Sequence, residues 1–301
     1  MRHCLIMLAF WFLPTICTAQ STHAVEQSNQ RGLRLFSQGD LDGAIAEFDY
    51  LLELVTRLGT NRDQTATLTI VDLRAANAYS NRGVARYNKG DLDGAKSDFD
   101  KAIRINPRLP EVWYNRAMTQ QKLNDFKASL HDFNRAISLK PRYEKAIFNR
   151  GVLYARQQSY EVAVADFSTI IQLNSHDAAA YSNRGLALYA LGQRAAAISD
   201  FDQAIARETD AFNLAVALRN RGKVKMDSGE LKDAIADFTT AIERHPTFAL
   251  AYANRGLAYL QQGDEPSADA DFTQCLKLDH TLESALQESI RKVKEQKNSL
   301  K

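Results

Sequence analysis

From residue 77 the chain reads NAYSNRGVARYNKGDLDGAKSDFDKAIRIN, and its apolar and small residues fall at helical steps. Tyr79, Gly83 and Tyr87 recur every four residues; after a polar break, Ala95, Phe99, Ala102 and Ile103 form a second stripe. The spacing predicts two amphipathic helices joined by a tight turn. Gly90 supplies a left-handed stop for the first, and Asp91 caps the start of the second. Small Gly83 facing small Ala95 is expected to let the two helices approach closely.

The same pattern recurs along the chain. Equivalent small residues stand at Gly32, Gly83, Ala117, Gly151, Gly185, Gly222 and Gly256, spaced by 51, 34, 34, 34, 37 and 34. Sixteen residues after each lies an aromatic: Phe48, Phe99, Phe133, Phe167, Phe201, Phe238 and Phe272. The internal offset never varies, so the extra 17 and 3 residues fall between units. Pro107, Pro141 and Pro246 close three units at one register, where a helix cannot continue. Self-similarity at a fixed period marks a solenoid and overrides the two domains that 301 residues would otherwise suggest. The long insertion predicts a loop at 58–63, followed by an extended helix through Ala78.

The two ends differ from the repeats. Arg2 and His3 precede an apolar run from Cys4 to Leu13, then Pro14, with Cys17 and Ala19 at signal-peptidase spacing, so cleavage is expected after Ala19. Ile16 stands where a lipidated Cys17 would require a small residue. Removal of the signal leaves Cys275 as the single cysteine, at a position where other units carry a small apolar residue; a buried, inert thiol is expected. At the far end, Leu282, Ala285, Leu286, Ile290 and Val293 predict one further helix, with Lys292, Lys294 and Lys297 toward its C-terminus. The organisation is thus a signal peptide over 1–19, a solenoid over 20–280 and a capping helix with a basic tail over 281–301. The repeats occupy about 25–57, 76–109, 110–143, 144–177, 178–211, 215–248 and 249–280.

Charge and chemistry narrow the function. The net charge is +2, with acids and bases interleaved, which is not the footprint of a nucleic-acid binder. His23, His131, His176, His245 and His280 are scattered without metal-ligand spacing, no phosphate-binding loop occurs, and no cofactor or metal is implied. No catalytic constellation is visible, so no enzyme is expected. After signal cleavage no stretch is apolar enough to cross a membrane. The short signal and the absence of any Asn-x-Ser/Thr acceptor favour a bacterial periplasm, with a secreted or lipid-anchored protein as the alternatives.

Each repeat also carries an arginine and an acid at fixed register. Arg82, Arg116, Arg150, Arg184, Arg221 and Arg255 lie just before the small residue, and Asp98, Asp132, Asp166, Asp200, Asp237 and Asp271 fifteen residues after it; the first unit has Arg31 and Glu47. Arginine on a half-buried face requires a partner, so structural ion pairs are expected, within a unit or across to its neighbour.

The period of 34, the small residues on facing helices, the aromatic, the Gly-Asp turn and the closing proline resemble the tetratricopeptide repeat (TPR), over about residues 26–280. The arginine departs from that pattern, which typically has leucine before the glycine. The resemblance implies an all-α, right-handed superhelical α-solenoid of helical hairpins. Its concave surface is lined by the first helix of each hairpin. Carried over by register, that surface presents Asn81, Asn115, Asn149, Asn183, Asn220 and Asn254 as a polar rung, or as braces between repeats. Around it stand Tyr87, Tyr114, Phe148, Tyr189 and Met118, with Lys122, Lys145 and Arg219 as charge. Lys145, Asn149 and Asn183 resemble part of a carboxylate clamp, but Val216 and Asn220 occupy the rungs that should complete it. The implied function is a non-catalytic scaffold or adaptor that binds a peptide or partner protein in the groove, exported to the cell envelope. The alternative is a structural subunit that forms a homo-oligomer through its repeat surfaces and has no peptide ligand.

Overall fold

The computed structural model describes residues 19–59 and 70–299, which are helical throughout apart from their turns. The predicted signal peptide lies outside the described residues except for Ala19, the first residue of α1. Helix α2 continues through Gly59, past the predicted start of the 58–63 loop, and the rest of that loop also lies outside the described residues.

Seven helical hairpins follow one another: α1 (Ala19–Ser37) with α2 (Leu41–Gly59), α3 (Ile70–Lys89) with α4 (Leu92–Ile105), α5 (Pro110–Lys122) with α6 (Phe126–Leu139), α7 (Glu144–Arg156) with α8 (Tyr160–Leu173), α9 (Ala178–Ala190) with α10 (Arg194–Arg207), α11 (Ala211–Asp227) with α12 (Leu231–Arg244), and α13 (Ala249–Gln262) with α14 (Glu265–Leu278). A final helix, α15 (Glu283–Ser299), ends the described chain. The chain divides into two compact units, Met1–Ala146 and Ile147–Lys301. In the first, α1 to α6 pack consecutively; in the second, α8 to α14 do the same and α15 lies on α13.

One turn closes every hairpin. Seven residues after each small residue, the backbone takes a positive φ at Gly39, Gly90, Asn124, Gln158, Gly192, Gly229 and Gly263. The following residue starts the second helix. Where it is aspartate (Asp40, Asp91, Asp125 and Asp264), its carboxylate accepts an orphan N–H of the new helix, as at Gly94 (2.9 Å).

Between the helices of each hairpin sits the repeated phenylalanine. Phe48, Phe99, Phe133, Phe167, Phe201 and Phe238 are fully buried. The small residue before the turn makes room for that ring: a Cβ on Gly83 would lie 2.8 Å from Phe99 Cε1. At Gly83 the ring atoms are the nearest neighbours. At Gly185 and Gly256 the carbonyls of Ala197 and Ala268, at the register of Ala95, also lie 3.3 and 3.2 Å from such a Cβ. In the third repeat, Ala117 replaces the glycine, and Ser129 opposite it donates to the Ala117 carbonyl at 2.9 Å. Cys275 is buried in the core of the last hairpin, where burial pushes its thiol up. Leu286 and Val293 of α15 join that core, with Leu282 and Ile290 at its margin. The predicted stripe also includes Ala285, which is exposed because it lies one residue off the arc through Leu282, Leu286, Ile290 and Val293.

Candidate functional site

The arginines form a repeated fork. Arg82 donates through Nε and Nη2 to the two oxygens of Asp98 (2.9 and 2.5 Å), and Arg116 does so to Asp132 (2.6 and 2.8 Å). In the second unit, Arg150–Asp166, Arg184–Asp200, Arg221–Asp237 and Arg255–Asp271 repeat it, with distances from 2.6 to 2.9 Å. All six aspartates are buried. Bidentate geometry of this kind gives strong, oriented charge-assisted bonds. The first repeat makes the weaker version, Arg31 Nε to Glu47 at 3.0 Å, on an exposed surface.

The remaining amino group of several arginines reaches the preceding hairpin. Arg82 Nη1 donates to Asp49, Arg116 to Asp100 (2.6 Å), Arg184 to Ser168 (3.0 Å), Arg221 to Asp202 (2.5 Å) and Arg255 to Thr239 (3.1 Å). Each acceptor directly follows the buried phenylalanine of its repeat. The pairing thus runs both within and between repeats. The short polar residue after the aromatic carried this signal in the sequence, and periodicity alone missed it. An aromatic three residues before the arginine also covers several guanidinium faces, as with Trp113 over Arg116 (4.8 Å) and Tyr181 over Arg184 (5.6 Å). Burial alone would lower the pKa of Arg82 and Arg116; their paired carboxylates outweigh it and raise both.

Four of the six asparagine positions are buried rather than open to a ligand. Asn81 and Asn115 have no exposed surface, and Asn220 and Asn254 are buried. Asn81 Nδ2 donates to Asn29 Oδ1 (3.2 Å), joining α3 to α1. Two residues before the small position, a side chain points toward the adjoining first helix, where a buried amide must find partners. Asn149 and Asn183 are half-buried, and Asn183 donates to the Ala179 carbonyl of its own helix (2.8 Å). Tyr87, Tyr114 and Met118 are likewise core residues, not surface groups; Tyr114 packs on Tyr143 at 5.3 Å.

Other predicted site residues do reach the surface. Lys122 is exposed, its Nζ over the Tyr87 ring (5.1 Å), and Lys145 is exposed. In the second unit Phe148, Tyr189 and Arg219 are half-buried. Tyr189 donates its hydroxyl to Asp227, which also accepts from Lys223 (2.6 Å); burial and that hydrogen bond push the Tyr189 phenol up to about 12. Leu186 on α9 and Leu250 on α13 are exposed by 43% and 38%, one residue after and six residues before the small position of their repeats. Leu250 escaped the sequence reading because its register carries unrelated residues, Lys145 and Val216, in other repeats. Among the described residues, no group of three or more His, Cys, Asp or Glu could hold a metal ion, and no helix is long and apolar enough to cross a membrane.

Models of the tetratricopeptide repeat match residues 76–109, 110–143, 148–212 and 249–281, and a TPR model matches 222–263. Among solved structures, a tetratricopeptide repeat protein from Parabacteroides merdae is similar at 19% identity over 90% of this chain and 99% of its own, with a TM-score of 0.63. PilW, a type IV pilus biogenesis factor, is similar at 20% identity over 71% of this chain and 97% of its own, TM-score 0.61. YrrB, a TPR protein with an unusual peptide-binding site, is similar at 21% identity over 63% and 97%, TM-score 0.50. No curated protein matches. Repeat period, hairpin geometry and family models agree: the chain belongs to the tetratricopeptide repeat family.

Proposed function

We propose that the chain is a non-catalytic adaptor that holds a segment of a partner protein across the first helices of its second unit. One observation carries this reading. Leu186 and Leu250 leave apolar surface open on that face, whereas the arginine forks are engaged in holding the helices of each hairpin together. Large exposed apolar side chains grouped on one face mark interaction sites. YrrB, built from the same repeat, has a peptide-binding site, which supports the same use of the fold here.

The adaptor is exported, with residues 1–19 as a signal peptide and the bacterial periplasm as its compartment; a mature N-terminus at Gln20 is the expected sequencing result. A photocrosslinker at Leu186 tests the binding face, against a control at Val162, which is exposed on the second helix α8. Crosslinks to another protein from position 186 and not from 162, lost when Leu250→Glu is added in a chain of unchanged melting temperature, are expected. Crosslinks only between copies of the chain would replace the adaptor with the self-assembling subunit.

A further inference from the structure

Arg219 stands apart from every arginine in the repeated forks. It lies on α11 between Val216 and Lys223, three residues before Gly222, at a register that holds Ser80, Tyr114, Phe148, Ser182 and Ala253 in other repeats. Its Nε is buried with no hydrogen-bond acceptor, and its Nη1 donates only to the neutral Asn220 Oδ1 at 3.2 Å. Among the described residues, no carboxylate comes within ion-pair distance of it. Burial correspondingly lowers its pKa, with no acid nearby to offset the effect. Lys223, one turn on, is neutralised by Asp227, so Arg219 is the uncompensated cation of this face. A guanidinium taken from water without a counter-charge is costly unless something supplies one.

Its neighbours indicate what does. Helix α11 contacts both α9 and α13. Leu186 matches Lys223 by register, one turn after Arg219, and Leu250 matches Val216, one turn before it; both leucines are exposed. The cation is therefore flanked by apolar surface on both sides. A chain-terminal carboxylate would use only one of those sides; an acidic side chain within a segment uses both. We propose that Arg219 anchors an internal aspartate or glutamate of the bound segment, with an apolar residue of that segment on each side of it. This rests on the adaptor reading above and names the chemistry it selects. Helix axes about 10 Å apart correspond to about three extended residues, giving Leu-x-x-Glu-x-x-Leu as the form of the ligand.

The test uses three synthetic peptide pools on the full mature chain: acetylated, amidated Leu-x-x-Glu-x-x-Leu; the same with glutamine for glutamate; and a pool ending at a free carboxylate after Leu-x-x. Binding is read by fluorescence anisotropy for the wild type, Arg219→Gln and Arg219→Lys. The expected result is about tenfold or more tighter binding of the glutamate pool than of the glutamine pool. That preference should vanish in Arg219→Gln and shrink in Arg219→Lys, which keeps the charge but lacks the fork. Equal binding of the first two pools, or a preference that survives Arg219→Gln, overturns the anchor while leaving the adaptor intact. Tightest binding of the free-carboxylate pool overturns the internal acid. No binding by any pool overturns the adaptor and the anchor together. Should Arg219→Gln fail to fold, the wild-type comparison and Arg219→Lys decide the matter.

Discussion

Arg184 lies against Asp200 in a two-bond fork, Nε at 2.7 Å and Nη2 at 2.8 Å, and the carboxylate side chain is 7% exposed. With its partner removed, that carboxylate would remain buried and uncompensated. Arg184→Met is expected to destabilise by about 2–4 kcal/mol, below the full value for a buried pair because Arg184 itself is partly wet. The double variant Arg184→Met/Asp200→Leu should lose less than the sum of the two single variants, with a coupling of about 1–3 kcal/mol in a denaturant double-mutant cycle. Strictly additive losses would rule out the fork as a stabilising unit.

The glycines that face phenylalanine separate into tight and tolerant sites. A Cβ on Gly256 would meet Phe272 Cε1 at 2.6 Å and the Ala268 carbonyl at 3.2 Å, whereas on Gly151 nothing comes closer than 3.1 Å. Alanine gains about 1 kcal/mol over glycine inside a helix, while overpacking costs about 1–3 kcal/mol. Gly256→Ala should therefore lose stability overall, and Gly151→Ala should come out near neutral. Melting temperatures of the two variants in parallel check the order; the reverse order would refute it.

Gln158 occupies the turn position with φ of 60°, where five of the seven hairpins have glycine and Asn124 serves in another. A side chain with a Cβ is strained there by about 1–2 kcal/mol. Gln158→Gly is expected to raise stability by roughly 0.5–1 kcal/mol, after the added entropy of the unfolded glycine is subtracted. Asn124→Gly should gain less, since asparagine tolerates this conformation better. Chemical denaturation of both variants measures the difference.

Three phenols should resist ionisation. The hydroxyls of Tyr87 and Tyr143 are buried without a hydrogen-bond partner, and burial raises both; Tyr189 is pushed up to about 12 by burial and Asp227. Each favours its protonated form in the folded chain, so the stability it contributes is complete below the unfolded value near 10. For Tyr189 that contribution disappears as pH climbs from 10 toward 12. Absorbance at about 295 nm should show these three tyrosines titrating late, and Tyr189→Phe should flatten stability across that interval. A single titration of all tyrosines near pH 10, before unfolding, would contradict this.

The hairpins were legible in the chain because Gly83, Phe99, Gly90 and Asp98 obey steric and electrostatic demands that leave little choice of residue. The far side of each arginine was not, since Asp49, Asp100, Ser168, Asp202 and Thr239 share only a short polar side chain. Which alternative the asparagines follow, open rung or brace between repeats, was not legible for a different reason. Periodicity identifies which positions share an arc of a helix, but it does not separate the arc open to water from the arc against the next first helix. Asn81 is polar and reads as surface, yet it is buried and pairs with Asn29. Tyr87 and Met118 failed by the same ambiguity. Arg219 was placed on the open face, but its want of a counter-ion emerged only when every neighbour had a position.

The third arm of the fork has an evolutionary consequence. Arg221 reaches back to Asp202 while holding Asp237, and one repeat earlier Arg184 reaches back to Ser168 while holding Asp200. A duplicated hairpin therefore brings its own plug and its own socket. Such a chain can lengthen or shorten by whole repeats through unequal recombination, with each new junction ready-made from parts already present.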